Sequence, residues 1–508
     1  MNKNGINRWI LFGGVSVLTF CVFYPVLNSH FVTDDLRLIY ISSPLSTDSI
    51  FDYFTSSGGW FAGLYRPFVR IAFFMDFSLY HLNPAGYHVT NLLFHIVCSI
   101  LVFYFAEMLT GSEMTGSFAA FIFAVQPLHT EAVSWISGRG DIIFTFFYLL
   151  ACVSFLKYLS AKDRKRKYLL LSGFFFFLSL LSKESAITLP AIIFLTEYYY
   201  FKRESGNRPH RLNIMNYVPF VLVLILYTFI KLFIVGGGVL HTQTGLSIFL
   251  RVGYHFLQLF APINIDTFNF SNMSGFILNS IIVLNLLILL LAYLYLCRDK
   301  KRAIPFFILC ALWILITSFP LYLASGTRYL YISSVASSML IGFVLAHTLS
   351  AVKIKIPRLT KTLVPILMVG IVLTSSIRIL QKNEIYNYTG AIAEGIFTQL
   401  KNKHPRFPSG SVLYFINFPD EWVRDTETWV KPIPVMSVAI KVKYGDTSLI
   451  IRSEPQRVST FEEKFRFLEK NSIGKYIKEG KQCYIFEYQD SKVIETTKLF
   501  RDKLGYTF

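Results

Sequence analysis

The sequence predicts an all-α polytopic membrane bundle followed by a small α/β domain on the outer side of the membrane. Three observations predict it. Apolar residues make up 53% of the 508 and charged residues 16%, against about 25% charged in soluble domains, and the mean hydropathy is +0.48. Apolar runs of the length a bilayer requires, roughly 20 residues, recur until the last quarter of the chain. Basic clusters fill every second loop between these runs, as cytoplasmic loops do. The same composition excludes a soluble globular chain and a disordered one. The excess of 49 Lys and Arg over 31 Asp and Glu, a formal charge of +18, sits in those loops and implies no nucleic-acid partner.

About eleven spans are expected: Trp9–Leu27, His88–Leu109, Ser117–Gln126 with its extension, Ile142–Ser160, Tyr168–Leu181, Ala186–Phe201, Ile214–Val235, Phe276–Cys297, Ala303–Ala324, Ile332–Ser350 and Thr362–Leu380. The first has a basic head but no small-x-small cleavage site, so it reads as a retained helix and not a signal peptide. Lys3 and Arg8 precede it. The run Lys162–Lys167 follows the fourth span, Lys202, Arg203, Arg208 and Arg211 the sixth, Arg298–Arg302 the eighth, and Lys353, Lys355, Arg358 and Lys361 the tenth. The positive-inside rule therefore puts the N-terminus in the cytoplasm and the C-terminal end outside.

The first outer loop, residues 28–87, is long enough for two short interfacial helices and carries Trp60-Phe61 and the aromatic stretch Phe68–Leu79, which suit a membrane surface. A second outer loop, Gly236–Gly275, contains Ile248–Phe260, too short to span. The expected division is a transmembrane domain over residues 1–382 and a soluble domain over 383–508. The latter has strand-like runs at Ser411–Phe418, Ser448–Arg452 and Gln482–Tyr488, and a helix-like run at Thr460–Lys470. Its Trp422 and Trp429 are candidates for stacking on a glycan or peptide, or for packing. The cysteines show no disulfide framework.

Charge is scarce in the outer loops, so each charged residue there is a candidate. Asp34-Asp35 sits just beyond the first span. A carboxylate at that level can take a proton from a hydroxyl nucleophile, and it can equally cap the helix-like run Leu36–Tyr40. Tyr65-Arg66-Pro67 comes next. His88, Asn91 and His95 follow at i, i+3 and i+7, one face of the second span, where interhelical hydrogen bonding is the default reading. Gln126–Asp141 gathers His129, Glu131, Arg139 and Asp141 in one outer turn, with an Arg139–Asp141 pair as structural glue. Ser182-Lys183-Glu184-Ser185 and Ser325-Gly326-Thr327-Arg328-Tyr329-Leu330-Tyr331 make two further outer turns. Arg139, Lys183 and Arg328 together suit a phosphate, since a guanidinium fork bonds two oxygens at once. Headgroup contact is the bland reading of each.

In order, the Asp-Asp loop, Tyr-Arg-Pro, Leu82-Asn83-Pro84-Ala85-Gly86-Tyr87-His88 with Asn91-Leu92-Leu93-Phe94-His95, Gln126-Pro127-Leu128-His129-Thr130-Glu131-Ala132-Val133-Ser134-Trp135-Ile136-Ser137-Gly138-Arg139, Ser-Lys-Glu-Ser and Arg328-Tyr329-Leu330-Tyr331 resemble the transmembrane O-mannosyltransferases that carry tetratricopeptide repeats and their bacterial relatives, within the GT-C glycosyltransferase superfamily. The resemblance covers roughly residues 8–350. The repeats themselves are absent from the C-terminal part.

The resemblance implies a GT-C bundle that takes a sugar, mannose or another hexose, from a polyprenyl-phosphate carrier. The acceptor would be a hydroxyl on a protein, lipid or glycan at the non-cytoplasmic face, and the configuration would invert. It implies a bacterial inner membrane with a periplasmic site, membrane lipid as surroundings, no cofactor beyond the lipid-linked donor, and no obligatory metal. Asp34 or Asp35 would be the base, with Asp34 favoured by likeness to the family. Arg66, His129, Glu131, Arg139, Lys183, Glu184, Arg328 and Tyr331 would line the donor's sugar and phosphate. A lipid-linked-sugar flippase would show broken helices in two matching halves, which the sequence lacks. A non-catalytic partner would lack the Asp pair. A glycoside hydrolase would need two carboxylates spaced about the scissile bond, which adjacent residues do not supply.

Overall fold

Among the described residues the apolar runs form helices, and the polar last quarter forms a sheet with helices on it. The computed structural model describes residues 7–46, 48–55, 64–161, 163, 165–205, 213–235, 258–260, 280, 283–284, 287, 300–318, 326–355, 357–418, 423–424, 429–430, 436–453, 458 and 460–504. In chain order the first fourteen described α-helices are α1 (Arg8–Phe23), α2 (Asp35–Ile41), α3 (Asp52–Thr55), α4 (Pro67–Tyr80), α5 (Pro84–Thr110), α6 (Glu113–Ala124), α7 (Thr130–Val133), α8 (Arg139–Ser160), α9 (Arg166–Leu180), α10 (Leu189–Ser205), α11 (Val218–Phe229), α12 (Lys300–Thr317), α13 (Ser333–Lys355) and α14 (Pro357–Lys403). Chain contacts divide the molecule into two units, one of residues 1–25, 50–71 and 88–383, the other of residues 26–49, 72–87 and 384–508. The second unit thus joins much of the first outer loop to the C-terminal residues.

Four described helical stretches are long and apolar enough to cross a membrane: Arg8–Asn28, Pro84–Thr110, Ile136–Ser160 and Val364–Lys403. Shorter apolar helices run over Glu113–Ala124, Val218–Phe233, Ala303–Thr317 and Ser333–Leu349. The protein is an integral membrane protein, and the count of eleven spans is finer than these helices establish. The expected span Phe276–Cys297 and the loop Gly236–Gly275 lie outside the described residues, apart from Gln258–Phe260 and four isolated positions.

Within the first unit the helices meet through small residues, as in a lipid solvent that gives no hydrophobic drive between apolar helices. α13 lies on α6, and a Cβ on Gly342 would stand 2.8 Å from the Ala119 nitrogen and 2.9 Å from the Thr115 oxygen. α9 folds back on α8, joined by Ser172 donating to the Ala151 carbonyl and Ser179 to that of Phe144, both at 2.8 Å.

The last apolar run extends well past the expected end at Leu380. α14 continues as one helix through Lys382, Asn383 and Glu384 and stops at Lys403, just before His404-Pro405, where proline ends it.

The second unit holds a four-stranded sheet of order β4-β1-β5-β6, from β1 (Val412–Ile416), β4 (Ile450–Ser453), β5 (Cys483–Gln489) and β6 (Lys492–Glu495), beside a short pair β2 (Val423–Arg424) and β3 (Trp429–Val430). β4, β1 and β5 run parallel, with Val412 beside Ile450 and Cys483, and β6 is antiparallel to β5. β1 is buried along its whole length, as a central parallel strand covered on both faces must be. α15 (Met436–Tyr444) links β1 to β4, α16 (Phe461–Lys470) and α17 (Ile473–Lys478) link β4 to β5, and α18 (Thr497–Leu504) ends the described chain. α16 starts in a capping box between Thr460 and Glu463, which satisfies two orphan backbone donors. Trp422 lies outside the described residues.

Candidate functional site

Turns of the first unit converge on three ion pairs. Arg66, one residue before α4, forks onto Glu184, Nη2 to Oε1 at 2.5 Å and Nε to Oε2 at 3.1 Å. Lys183 Nζ donates to Asp141 Oδ1 at 2.6 Å. Arg328 donates to Glu131 from Nη1 and from its backbone N–H, the latter at 3.0 Å, and Thr327 Oγ1 adds a third donor at 3.0 Å. The pairs are one network. Lys183 Nζ lies 4.3 Å from the centre of the Tyr329 ring, and Arg328 stands over Tyr329 at 4.7 Å and Trp135 at 5.0 Å. Arg139 is buried in the first turn of α8 and donates Nε to the Ile136 carbonyl at 3.3 Å.

The local sequence explains how these side chains come so close. Pro127 opens a 3-10 turn, and α7 and a second 3-10 turn fold the segment 127–138 back on itself. A Cβ on Gly138 would stand 2.4 Å from the Glu131 carbonyl oxygen, so only glycine allows that return. Gly326, at φ +152, would bring a Cβ within 2.9 Å of Glu131 Oε1 and 3.0 Å of Arg328 Nη1. Its missing side chain is the space the Glu131–Arg328 pair occupies.

Charge decides the protonation states. Burial alone would raise the Glu184 carboxyl, but the Arg66 charge and its hydrogen bonds outweigh burial and bring it down to about 2. Burial likewise opposes ionisation of Glu131, and Arg328 with its backbone N–H and Thr327 overcomes it, so this carboxyl too lies below its ordinary value. Both acids are ionised anchors and poor proton acceptors.

Next to this network lies a polar layer built on hydrogen bonds. His95 Nε2 stands 3.1 Å from the Ala124 carbonyl and Nδ1 stands 2.6 Å from the Tyr331 hydroxyl. A carbonyl only accepts, so Nε2 carries the proton and Tyr331 donates to Nδ1. Ser334 donates to the Tyr331 carbonyl at 2.7 Å, so His129 Nε2, 2.7 Å away, is the donor to Ser334 Oγ. Asn91 Nδ2 donates to the Val133 carbonyl at 3.2 Å, and Ser134 donates to Asn383 at 2.6 Å. The polar face of α5 therefore does bond across helices.

The structure thus brings Arg66, Glu131, Lys183, Glu184 and Arg328 into one network, with Arg139 in the adjoining turn and His129 and Tyr331 in the polar layer next to it. Asp141 was read as the partner of Arg139 and is instead that of Lys183. Tyr329, Trp135 and Thr327, which flank the cations, were not singled out, although aromatic residues beside scarce outer cations are the available signal. Asp34 and Asp35 belong to the second unit. Asp35 is 1% exposed and its Oδ2 accepts from the Val32 N–H at 2.9 Å. Asp34 is half-buried and occupies the N-cap of α2 without a side-chain capping bond.

The bundle has the fold of the GT-C glycosyltransferases. Over 96% of this chain and 94% of the other it superposes on ArnT from Cupriavidus metallidurans, solved bound to undecaprenyl phosphate, with a TM-score of 0.53 at 14% identity. The archaeal oligosaccharyltransferase AglB from Archaeoglobus fulgidus, in complex with an inhibitory peptide and a dolichol-phosphate, matches 94% of this chain and 69% of its own at a TM-score of 0.50 and 10% identity. Within that class the chain resembles the protein O-mannosyl-transferases. The dolichyl-phosphate-mannose-protein mannosyltransferase family matches residues 71–232. The Drosophila melanogaster protein O-mannosyl-transferase Tmtc1 is 34% identical over 185 residues, 34% of this chain and 21% of that protein. Human TMTC2 is 28% identical over 215 residues, 40% of this chain and 25% of its own. The matched stretch spans about a quarter or less of these relatives' length.

Proposed function

We propose that the protein is a membrane glycosyltransferase that moves a sugar, mannose or another hexose, from a polyprenyl-phosphate carrier to a hydroxyl acceptor on the outer membrane face, with inversion. The observation that carries this reading is the network of Arg66, Lys183 and Arg328, built from the same motifs that resemble the O-mannosyltransferases. Each of these three cations is held by a carboxylate, Glu184, Asp141 and Glu131 in turn, which fixes them close together for an anion. An ammonium offers three N–H donors and a guanidinium five, so a cation held by a carboxylate can still bond a phosphate oxygen. In a buried site such charges act in low dielectric and are already in place when charge develops on the leaving phosphate.

In the proposed step the acceptor oxygen forms a bond to the anomeric carbon as the bond from that carbon to the phosphate oxygen breaks. The electron pair leaves with the lipid phosphate, and the acceptor's proton passes to Asp34. Asp35, buried and bonded to Val32, shapes the loop. Glu131 is held ionised by three donors, which makes it a poor substitute base. Phosphate is already a good leaving group, so the step requires no acid, metal or cofactor. An apolar cleft between α12 and α13, lined by Phe307, Ile308, Ala311, Leu315 and Leu340, suits the isoprenoid chain. Two proteins of the same fold support a lipid-linked donor: ArnT is solved with undecaprenyl phosphate and AglB with dolichol-phosphate. The O-mannosyl-transferase relatives support a protein acceptor, and we place the site in the periplasm of a bacterium.

The test is transfer by purified protein from a polyprenyl-phosphate-linked hexose, with mass spectrometry of the glycans of a deletion strain to name sugar and acceptor. Asp34→Asn should lower the rate by about 10²–10⁴-fold, the usual cost of a lost general base, with carrier binding retained. Asp35→Asn should do less. Near-normal rates in both variants would refute the assignment.

A further inference from the structure

We infer that the C-terminal segment carries positioning residues for the loop that bears the base, Gly390, Glu394 and Lys443; the inference rests on the proposed role of Asp34. Residues 28–35 need outside support. Thr33 has φ +50, a left-handed conformation that a β-branched residue adopts only when its surroundings impose it. Within the loop Val32 N–H donates to Asp35 Oδ2 at 2.9 Å, Asp35 N–H to the Val32 carbonyl at 3.1 Å and Ser29 N–H to the Val26 carbonyl at 2.9 Å.

The support comes from within the second unit, on two sides. On one side Tyr87 of the Leu82–His88 motif sets its ring edge-on to Phe31 at 5.4 Å, and its hydroxyl donates to the His81 carbonyl at 2.7 Å. On the other side stand α14 and α15. α15 packs on α2. Lys443 Nζ lies 5.9 Å from the centre of the Phe31 ring and 5.1 Å from that of Phe397, and it donates to Glu394 Oε2 at 2.5 Å. The same oxygen is 4.0 Å from His30 Nδ1. One turn earlier on α14 a Cβ at Gly390 would stand 2.9 Å from the His30 nitrogen and 3.1 Å from its oxygen. The helix therefore touches the backbone of His30, four residues before Asp34. Displacing that backbone displaces Asp34, and a misplacement of about 1 Å can cost about 10²-fold in rate.

The full-length protein in detergent provides the test. Alanine at 390 would ordinarily favour a helix, so Gly390→Ala harms the loop only through His30. Gly395→Ala, with nothing within 4 Å of its Cβ, is the control on the same helix. Gly390→Ala should raise hydrogen exchange across residues 29–41 and lower kcat by about 10–10²-fold, with KM for the polyprenyl-phosphate-linked hexose unchanged and Gly395→Ala like wild type. Glu394→Lys and Lys443→Glu should each lower kcat, and the double exchange should restore most of it. The inference is overturned if Gly390→Ala keeps wild-type exchange, if exchange rises while kcat holds, or if KM alone moves. Exchange is read without turnover, so it separates failure of the buttress from failure of Asp34 as base, which Asp34→Asn reports.

Discussion

Glu184 shows what a single residue in this site contributes. It is ionised because Arg66 forks onto it, and its carboxyl lies at about 2 instead of 4.5. A carboxyl depressed in the folded state adds stability that is fully present above its unfolded value and is lost as pH falls through the folded one. The window therefore runs from about 4.5 down to about 2, and the shift corresponds to at most about 3 kcal/mol. Melting of the protein in detergent should fall more steeply across that window for wild type than for Glu184→Gln. Parallel curves would show that the pair adds nothing. At this scale the sequence singled out the cations, because outer Lys and Arg are scarce, and the carboxylates beside them, but not which would pair with which. Arg66 lies 118 positions from Glu184, Lys183 lies 42 from Asp141, and Arg328 lies 197 from Glu131. Local spacing offered Arg139 to Asp141, and only the fold could bring Lys183 there.

Among elements, the turn 127–138 is held by α5 from below. Asn91 donates to the Val133 carbonyl at 3.2 Å, and the Trp135 and Ile136 carbonyls lie at 3.5 Å. Asn91→Leu orphans buried acceptors and should cost about 1–3 kcal/mol. Asn91→Asp should be worse, since it points a carboxylate at three carbonyls. Thermal unfolding in detergent ranks them, and an Asp variant as stable as wild type would remove Asn91 from this role. That polar face was legible because helical spacing puts residues 88, 91 and 95 in line. So were β1, β4, β5 and α16, whose apolar or capped runs announce them. The outer half of α14 was not, because hydropathy stops at Leu380 while the helix does not. Glu, Lys and Gln propagate a helix well, and no proline intervenes between Pro365 and Pro405. β6 and α15 escaped as well, being short and rich in lysine.

For the whole molecule, the charge pattern fixes the expected orientation. Translocation of short basic loops is disfavoured, so the Lys162–Lys167 run should stay in the cytoplasm. Its counterparts are Lys202–Arg211, Arg298–Arg302 and Lys353–Lys361. On that pattern the proposed site falls in the alternate loops, which hold few cations; Arg66, Lys183 and Arg328 are each matched by a carboxylate and Arg139 by a backbone carbonyl. A cytoplasmic site would instead stand among clustered basic residues, where any phosphate would find competing partners. Reporter fusions after Arg166 and after Asp420 read this directly. A reporter active only in the cytoplasm should work at the first junction, and one active only outside should work at the second. Activity of both junctions on one side would overturn the count of spans between them, and with it the outer placement of the C-terminal sheet. If both lie outside, the basic loops do not set the topology, and the phosphate site would have to be sought at the opposite ends of the same helices.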